Sequence, residues 1–409
     1  MKVLLVGSGG REHALAWKLS QSPQLDELHC TPGNPGIAAL GDCHPVRAED
    51  ADGLLVLARE LEIDLVVVGP EAPLVAGVGD HLRHGGLSVF GPGAEAARIE
   101  GSKGFAKDVM RAAGVPASET MAVARPPCVV KADGLAAGKG AFVCRTQAEL
   151  DAALPAAAAL GGAIVIEELL EGDEVSIFAI ADGRQALPLP AAQDFSRVGD
   201  GDTGANTGGM GSYSPYPPLG DAGVEALVEQ IHLPVLHELA ERGSPFVGVL
   251  YAGLILTAGG PRVIEFNCRF GDPEMQVIAP RLESDLLPVL AAAAAGDLGD
   301  SSLRVGPQAA VTVALAADSY PASGDSGSTI HGVAEAEAAG AIVFHAGTAM
   351  RGNRLVTNGG RILNVTGVGD SIAAARAQAY AGVERIDFPG RRYRTDIALA
   401  ASKEEARVL

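Results

Sequence analysis

The sequence predicts a multidomain α/β protein whose first domain contains a parallel sheet. Over residues 1–100, short apolar runs alternate with helical stretches, and the apolar runs end at glycine or proline. The chain has 409 residues, too many for one ordinary core, and 47% of them are hydrophobic, enough to bury several cores. Such alternation indicates parallel strands with ligand-binding loops at their carboxyl ends.

The first domain, which we place at residues 1–101, is predicted from five elements. These are the strand Lys2–Val6, the helices His13–Leu19 and Leu54–Leu61, and the strands Leu65–Val68 and Leu87–Phe90. Leu15 and Leu19 share one face of the first helix, as a helix packed on a sheet requires. The two later strands end at Gly-Pro pairs, which interrupt extended structure.

The pattern changes near Lys103, and we place two further regions at 102–296 and 297–409. The first begins with a small α+β lobe, predicted as the helix Gly104–Ala113, the strands Cys128–Lys131 and Ala141–Cys144, the helix Thr146–Leu160 and the strand Ala163–Glu168. It continues as an antiparallel region with the strands Gly248–Leu256 and Arg262–Asn267 and the helix Asp285–Ala295. After a linker-like stretch at 296–301, the last region contains the strands Ala309–Ala316, Ala341–His345 and Arg361–Val365 and the helix Ser371–Val383.

Composition argues against three classes of protein. The formal net charge of −19 argues against a general nucleic-acid binder, because phosphate backbones need a basic face. The five cysteines form no C-x-x-C pair, which argues against a disulfide framework or a zinc site. No run of 18 apolar residues occurs, so we expect no membrane span. We therefore expect a cytoplasmic protein that binds neither nucleic acid nor membrane.

The segment Lys131–Gly140 carries the first chemical signal. Lys131 closes a predicted strand, and Lys139 adds a mobile positive charge between Gly138 and Gly140. Glycine lets the backbone approach a phosphate closely, so the segment fits a phosphate-binding loop. It lacks the Walker A pattern, and a solvated glycine-rich hairpin is the alternative interpretation.

A strand that runs into an acidic turn, Ile164–Glu174, fits an adenine pocket. Backbone groups near Glu168–Leu170 would hydrogen-bond the base, and the Glu174 carboxylate would accept hydrogen bonds from ribose hydroxyls. An ordinary polar strand end is the simpler interpretation of this segment taken alone.

The strand Val263–Asn267 suggests a metal site. Because side chains alternate across a strand, Glu265 and Asn267 are predicted on one face, while Ile264 and Phe266 face the core. A carboxylate and an amide oxygen suit a Mg²⁺ ion that bridges phosphate oxygens. A half-exposed strand with a polar face is the alternative.

Two glycine-rich segments complete the set of candidates. Gly201–Gly211 is suited to wrapping a small polar substrate with backbone N–H groups, although a flexible linker is the alternative. Gly7–His13 follows the first strand but lacks the third glycine of a dinucleotide-binding fingerprint. We interpret it as a phosphate site that uses Arg11 and helix N-terminal amides, and we expect His13 on the helix surface.

Taken in this order, the lysine loop, the acidic strand end and Glu265-x-Asn267 resemble the ATP-grasp fold, in which two α+β lobes hold ATP between them. Longer strings resemble one family of that fold, the phosphoribosylamine–glycine ligases of purine biosynthesis: GSGGREHALAWK (7–18), KADGLAAGKG (131–140), DTGANTGGMGSYSP (202–215) and VIEFNCRFGDPE (263–274). The resemblance implies a Rossmann-like, pre-ATP-grasp N-terminal domain. It also implies a two-lobe ATP-grasp core with a lid lobe at about 116–182, and a small mixed α/β C-terminal domain.

The resemblance implies a role for each matching residue. The ATP would be contacted by Lys103, Lys131, Lys139, Glu167, Leu169 and Glu174. The phosphoribosylamine and glycine would be surrounded by Gly10, Arg11, Glu12, Asn34, Glu71, Thr207, Gly208, Gly209, Met210 and Gly211. Mg²⁺ or Mn²⁺ would be ligated by Glu265 and Asn267. The catalytic groups would be Arg269, Asp272 and Lys139, with Asp272 as the candidate base.

The implied reaction joins glycine to phosphoribosylamine through a glycyl phosphate, in a monomeric enzyme. Such chemistry needs positioning and charge neutralisation rather than a protein nucleophile. Two departures from the family pattern concern the substrate loop. Phe195 and Ser196 stand where the family often has His and Lys, and Ala205 stands where proline is common.

Three other functions are distinguishable from this one. Another ATP-grasp ligase, such as a carboxylase of the purine or biotin type, would turn over ATP with bicarbonate and without glycine. A nicotinamide oxidoreductase would bind NAD(H), which the missing third glycine opposes. A regulatory nucleotide-binding protein would show no turnover.

Overall fold

The computed structural model describes residues 1–135 and 140–408. The N-terminal domain contains five parallel strands and five helices. The strands are β1 (Lys2–Gly7), β2 (Glu27–Pro32), β3 (Asp42–Cys43), β4 (Leu65–Val68) and β5 (Val89–Phe90). The helices are α1 (Gly10–Leu19), α2 (Ala51–Glu60), α3 (Glu71–Val75), α4 (Val78–His84) and α5 (Ala94–Gly101).

The N-terminal sheet has the order β3-β2-β1-β4-β5, with β1 at its centre. β1 is apolar on both faces: Leu4 and Val6 pack into one hydrophobic core, and Val3 and Leu5 pack into a second. All four are fully buried, as expected for a strand covered on both sides. Because β1 pairs in parallel with β4, the loops after both strands open at the same edge of the sheet. The predicted parallel sheet is confirmed.

A three-stranded sheet forms the small lobe of the central region. After α6 (Lys103–Ala112), its elements are β6 (Cys128–Ala132), β7 (Ala141–Cys144), α7 (Gln147–Ala159) and β8 (Ile164–Glu168). The lobe has its own hydrophobic core, which includes Val130, Leu150 and Ala153. α7 begins after Thr146, whose side chain accepts a hydrogen bond from the Glu149 N–H in a capping box.

The remaining elements belong to the large lobe and the C-terminal domain. The large-lobe strands are β9 (Asp173–Asp182), β10 (Ala186–Asp194), β11 (Arg197–Gly199), β12 (Thr203–Asn206), β13 (Gly211–Ser214), β14 (Val247–Thr257) and β15 (Gly260–Asn267). The large-lobe helices are α8 (Gly220–Leu227), α9 (Leu233–Glu241), α10 (Met275–Ile278) and α11 (Leu287–Ala294). The C-terminal strands are β16 (Ala309–Ala317), β17 (Asp325–Thr329), β18 (Ile342–His345), β19 (Thr348–Arg351), β20 (Arg354–Gly359), β21 (Arg361–Gly369) and β22 (Arg391–Arg392). The C-terminal helices are α12 (Val333–Ala338), α13 (Ile372–Val383) and α14 (Leu399–Val408).

One nine-stranded sheet crosses from the large lobe into the C-terminal domain. Its order is β15-β14-β9-β10-β13-β16-β21-β18, with β22 beside β16. The join is antiparallel, between Gly211–Ser214 of β13 and Ala310–Val313 of β16. The sequence predicted two separate regions on either side of a linker and gave no indication that one sheet joins them. It attaches the C-terminal domain to the glycine-rich loop that precedes β13.

The position of β9 corrects one predicted boundary. β9 pairs along its length with β14 and therefore belongs to the large sheet, although the predicted lid lobe extended to about 182. The small lobe ends at Glu168, and Leu169–Gly172 connects the two lobes. None of the helices in the described residues is long and apolar enough to cross a membrane.

Candidate active site

An arginine–carboxylate network lies where the N-terminal domain meets the end of β15. Arg11 Nε is 2.5 Å from Glu12 Oε1, and Arg11 Nη1 is 3.7 Å from Glu71 Oε2. Arg269 Nε is 3.1 Å from the same Glu71 oxygen, and Arg269 Nη2 is 3.0 Å from Glu100 Oε1. The structure thus brings together four of the predicted residues and adds Glu100, which the sequence did not single out.

The two arginines control the ionisation of Glu71. Burial alone would raise the pKa of Glu71, but Arg269 and Arg11 outweigh it and hold the pKa at about 2. Arg269 Nη2 also donates a hydrogen bond to Asn267 Oδ1 at 3.2 Å. Arg269 therefore links the network to one of the two predicted metal ligands.

A buried ion-pair cluster holds Lys131 at the inner end of the small lobe. Lys131 Nζ and Lys107 Nζ lie 2.8 Å from the two oxygens of Glu167, and all three side chains are buried. Burial opposes ionisation of Glu167, but the two lysines lower its pKa below the ordinary value. The Glu167 carboxylate is therefore engaged within the protein, where it orients Lys131.

A β-bulge interrupts β15 directly before the two predicted metal ligands, Glu265 and Asn267. Gly253 of β14 pairs with Glu265 and Leu254 pairs with Val263, so Ile264 is an extra residue on its strand. The freed Ile264 carbonyl accepts a hydrogen bond from Lys131 Nζ at 2.7 Å. Val263 is fully buried, whereas Ile264 is only half-buried and not in the core as simple alternation predicted.

The donor set beside this bulge fits a divalent cation that also binds phosphates. Glu265 is exposed, and its carboxylate has no hydrogen-bond or ion-pair partner among the described residues. The pKa of Glu174 is raised to about 7, because the surrounding protein disfavours its charged form and because the Glu265 carboxylate repels it. The Glu174 side chain is nevertheless exposed to solvent. The described residues contain no cluster of three or more His, Cys, Asp or Glu suited to a metal. Mg²⁺ bound with a nucleotide needs only one or two protein ligands, so Glu265 and Asn267 suffice.

Two further predicted nucleotide contacts lie at the start of α6 and in the connection between the lobes. Lys103 Nζ donates to the Gly134 carbonyl at 3.1 Å, and burial lowers its pKa while Glu265 opposes that shift. Leu169 lies in the connection between β8 and β9, half-buried. Lys139 lies outside the described residues, and its predicted role stays a prediction.

Arg361 and Tyr320 of the C-terminal domain hold the Gly208–Gly209 turn of the glycine-rich loop, which we predicted to wrap the substrate. Arg361 Nη1 donates to the carbonyls of Gly208 at 2.5 Å and Gly209 at 3.2 Å. Its Nη2 lies 3.2 Å from Asp272 Oδ2. The Tyr320 hydroxyl accepts a hydrogen bond from the Gly208 N–H at 2.9 Å. The loop and Asp272 are therefore fixed by one arginine from a different domain.

Within the loop, the predicted residues have different roles. Thr207 Oγ1 donates to the Ser196 carbonyl and accepts from the Gly209 N–H, so it shapes the turn. Met210 is fully buried, and both its backbone groups are bonded within the protein, to Phe195 and Ala314. Met210 therefore anchors the loop and does not offer a free group to a substrate. A side chain at Gly211 would collide with the Thr312 carbonyl, which explains the glycine at the start of β13.

Phe195, one of the two residues at which this chain departs from the family pattern, packs against an arginine of the C-terminal domain. Arg394 is almost completely buried and lies over the Phe195 ring at 5.0 Å from its centroid. The same guanidinium pairs with Asp202 and Asp396, each at 2.7 Å. A cation from the C-terminal domain thus lies beside Phe195, and the Ser196 hydroxyl donates to Asp194 Oδ2 at 3.2 Å.

On the N-terminal side, Asn34 and His13 connect to the C-terminal domain. Asn34 Nδ2 donates to the carbonyls of Ser8 at 2.9 Å and His345 at 2.8 Å. His13 is buried, not on the helix surface as expected, and its Nδ1 accepts from the His345 N–H at 2.7 Å. Burial lowers the pKa of His13 to about 3, so the ring is neutral and serves as an interdomain acceptor.

A cavity of about 320 Å³ lies between the N-terminal and C-terminal domains. Its walls include Ser8, Gly9, Asn34, Asp272, Thr348 and Arg361. Gly10 stands just behind this wall, where a Cβ would lie 2.7 Å from both Asn364 Oδ1 and Gln276 Nε2. The close packing explains why glycine opens α1.

Family models and a curated relative identify the family. Models of the phosphoribosylglycinamide synthetase N domain, ATP-grasp (A) domain and C domain match residues 1–100, 101–275 and 310–400. A phosphoribosylamine–glycine ligase from Brucella melitensis is 48% identical, with 99% of each chain covered. The chain belongs to the phosphoribosylamine–glycine ligase family.

Solved structures agree with the fold of this ligase family member. The phosphoribosylamine–glycine ligase from Thermotoga maritima has a TM-score of 0.84 at 33% identity, covering 97% of this chain and 100% of that one. The biotin carboxylase domain of Hydrogenobacter thermophilus 2-oxoglutarate carboxylase has a TM-score of 0.71 at 18% identity, covering 96% and 91%. The second likeness shows the fold alone, and the predicted three-part ATP-grasp architecture is confirmed.

Sequence reasoning missed several residues of this ligase family site. Arg361 follows two glycines at the start of a strand, but nothing local indicates that its partners lie 153 and 89 residues away. Lys107 resembles any helix lysine until β8 places Glu167 beside it. Nothing near Arg394 in the sequence indicates its contact with Phe195, and only the departure from the family pattern at Phe195 could have drawn attention to it.

Proposed function

We propose that this protein is an ATP-dependent ligase that joins glycine to 5-phosphoribosylamine. The products are glycinamide ribonucleotide, ADP and phosphate, as in de novo purine biosynthesis. One observation carries the proposal: Lys131 of the small lobe donates to the Ile264 carbonyl, directly before Glu265 of the large lobe. The ammonium that we propose to bind phosphate, Lys131, thereby lies beside the residue that precedes the proposed metal ligand Glu265. The identity of the substrates follows from the family.

The chemistry begins from the poor reactivity of a carboxylate toward amines. Transfer of the ATP γ-phosphoryl group to the glycine carboxylate gives glycyl phosphate and ADP. The amine nitrogen then attacks the carbonyl carbon, the C–O bond breaks to release inorganic phosphate, and the nitrogen loses its proton to solvent. Lys131 and Arg269 offset negative charge during these steps, and no protein nucleophile is required.

Asp272 suits orientation better than proton uptake. Burial alone would raise the pKa of Asp272, but Arg361 and Arg11 lower it below the ordinary value. A general base works best with a pKa near the operating pH. We therefore propose that Asp272 accepts a hydrogen bond from a substrate N–H group and orients the substrate, a role that its lowered pKa suits better than that of the base.

Glu265 and Asn267 would hold the divalent cation, whether Mg²⁺ or Mn²⁺. When bound, the cation neutralises charge on the nucleotide phosphates. We further propose that the enzyme is a monomer in the cytoplasm, which light scattering after gel filtration and cell fractionation would test.

The decisive experiment measures ADP release with Mg-ATP, glycine and phosphoribosylamine generated in situ. We expect release only when both substrates are present, together with the mass of the glycinamide product. ATP turnover that needs bicarbonate and ignores glycine would favour the carboxylase alternative and contradict the proposal.

A further inference from the structure

Arg361 makes an unusual set of contacts for a residue so far from the other site residues in sequence. Besides the Gly208 and Gly209 carbonyls, its Nη1 donates to the Asp272 carbonyl at 2.9 Å, and its Nη2 pairs with the Asp272 carboxylate. Only 18% of the Arg361 side chain is accessible. One guanidinium thus joins two segments that the sequence places on the substrate side of the reaction.

The Asp272 carboxylate is held at both oxygens. Arg361 pairs with Oδ2, and Gln276 Nε2 donates to Oδ1 at 2.7 Å. The carboxylate forms part of the wall of the cavity between the N-terminal and C-terminal domains. Its direction in that cavity is therefore set by Arg361 on one side and by the buried Gln276 on the other.

We propose that Arg361 is a positioning residue of the ligase reaction, which sets the Asp272 carboxylate and the Gly208–Gly209 turn in register with each other. The inference rests on the proposed function and gives the C-terminal domain a part in it. The residue acts through Asp272 and the loop, so its removal should affect the use of the amine and glycine and leave the binding of ATP unchanged.

Arginine suits this task because its planar fork donates several hydrogen bonds in fixed directions. A lysine at position 361 would keep the charge but reach fewer of the acceptors. Glutamine would remove the charge and most of the contacts. These two variants separate charge from geometry.

The experiment compares Arg361→Gln and Arg361→Lys with Arg376→Gln as a matched control. Arg376 also lies in the C-terminal domain and also donates to two backbone carbonyls, of Ile397 and Thr395, but away from the cavity. For Arg361→Gln we expect kcat/KM for glycine or the amine to fall at least about tenfold, as for loss of a charge-assisted hydrogen bond. The Kd of a non-hydrolysable ATP analogue should stay unchanged, and Arg361→Lys should recover part of the loss.

A double-mutant cycle with Asp272→Asn tests whether Arg361 acts through Asp272. We expect the effect of Arg361→Gln to shrink severalfold in the Asp272→Asn background. Fully multiplicative effects would overturn the proposal. So would an Arg361→Gln enzyme that resembles Arg376→Gln in kinetics, or one that loses affinity for ATP in parallel with the other substrates.

Failure of the proposed function has a different signature. If the unmodified protein releases no ADP in response to glycine and the amine, the ligase function and this inference fall together. If the unmodified protein is active and Arg361→Gln is equally active, only this inference falls.

Discussion

Lys131 Nζ donates a hydrogen bond to the Ile264 carbonyl at 2.7 Å, which connects the small lobe to the large lobe. The carbonyl is free because Ile264 is the extra residue of a β-bulge, and the lysine is oriented because Glu167 holds it at 2.8 Å. An ammonium has three donors, and two are used by these contacts. The described residues offer no further partner for this ammonium, and we propose that its third donor contacts a ligand phosphate between the lobes.

We expect Lys131→Met to lower the affinity for ATP at least about tenfold, because a charge-assisted hydrogen bond to a phosphate is lost. Glu167 would keep Lys107 as a partner, so the free energy of unfolding should fall by only about 1–3 kcal/mol. Equilibrium titration with a non-hydrolysable ATP analogue and urea unfolding measure the two effects.

Lys107→Met is the matched control for this variant. Lys107 lies at the same distance from Glu167 as Lys131 does, but its other contacts are with Ser118. It should cost comparable stability and leave ATP affinity nearly unchanged. Equal loss of ATP affinity in both variants would mean that Lys131 acts only by supporting the lobe.

Glu265→Ala should abolish metal-dependent turnover and leave the fold intact. The side chain is exposed and has no partner among the described residues, so little stability depends on it. Binding of Mn²⁺ in the presence of ADP, followed by electron paramagnetic resonance, should weaken in parallel. Glu171→Ala, an exposed acidic residue in the connection between the lobes, is the control. Near-normal activity of Glu265→Ala would reject the metal assignment.

The sequence predicted the parts of this site that depend on local pattern. Lys131 was predicted from its place near the end of a strand, and Glu265 and Asn267 were predicted from the alternation of side chains along a strand. Neighbouring residues determine both patterns. The bulge at Ile264 was not predicted, because a bulge depends on the register between two strands.

Contacts over long sequence separations were not predictable. Arg361 reaches Gly208 because β13 and β16 join two regions into one sheet, and only the pairing of these strands reveals it. His13 was expected at the surface because the helix pattern alone does not show that His345 packs against it.

Gly209→Ala should distort the glycine-rich loop that we propose to contact the substrate. Gly209 has φ of +108°, and a Cβ there would lie 2.4 Å from Pro273 Cδ and 2.7 Å from Asp194 Oδ1. We expect kcat/KM for glycine to fall at least about tenfold, since strain of about 1–3 kcal/mol must be relieved by moving the loop.

Gly201→Ala separates backbone strain from collision. Gly201 has φ of +65° in the same loop region, but a Cβ there meets nothing within 4 Å. Steady-state kinetics should therefore show a small effect for Gly201→Ala and a large one for Gly209→Ala. Similar effects of the two variants would mean that the positive φ alone, and not the collision, causes the loss of activity.

The small lobe should close over ATP as a unit, because it has its own hydrophobic core and a short connection to the large lobe. We expect ATP with Mg²⁺ to protect residues 131–140 from trypsin, which cleaves after lysine. Mass spectrometry of the fragments would measure this. Cleavage after the exposed Arg242, in the large lobe, provides the control and should not change. Unchanged cleavage within 131–140 would count against closure.

Glu71 should make the N-terminal domain sensitive to acid. Burial opposes its ionisation, but Arg269 and Arg11 hold its pKa at about 2, below the ordinary 4.5. A depressed carboxyl pKa stabilises the folded state above the ordinary pKa, and this contribution is lost as the pH falls through the folded-state pKa. The shift corresponds to at most about 3 kcal/mol.

Glu71→Gln removes the titrating group, so its comparison with the unmodified protein isolates the effect. The difference in unfolding free energy between the two should be largest above pH 5 and should shrink as the pH falls toward 2. Trp17, the only tryptophan, lies in α1 with its ring 6.1 Å from that of Phe344, so its fluorescence reports on this domain. Glu95→Gln, which removes an exposed carboxylate paired with Arg98, should show no such pH dependence. A difference for Glu71→Gln that stays constant from pH 7 to pH 2 would mean that Arg269 and Arg11 do not depress the Glu71 pKa.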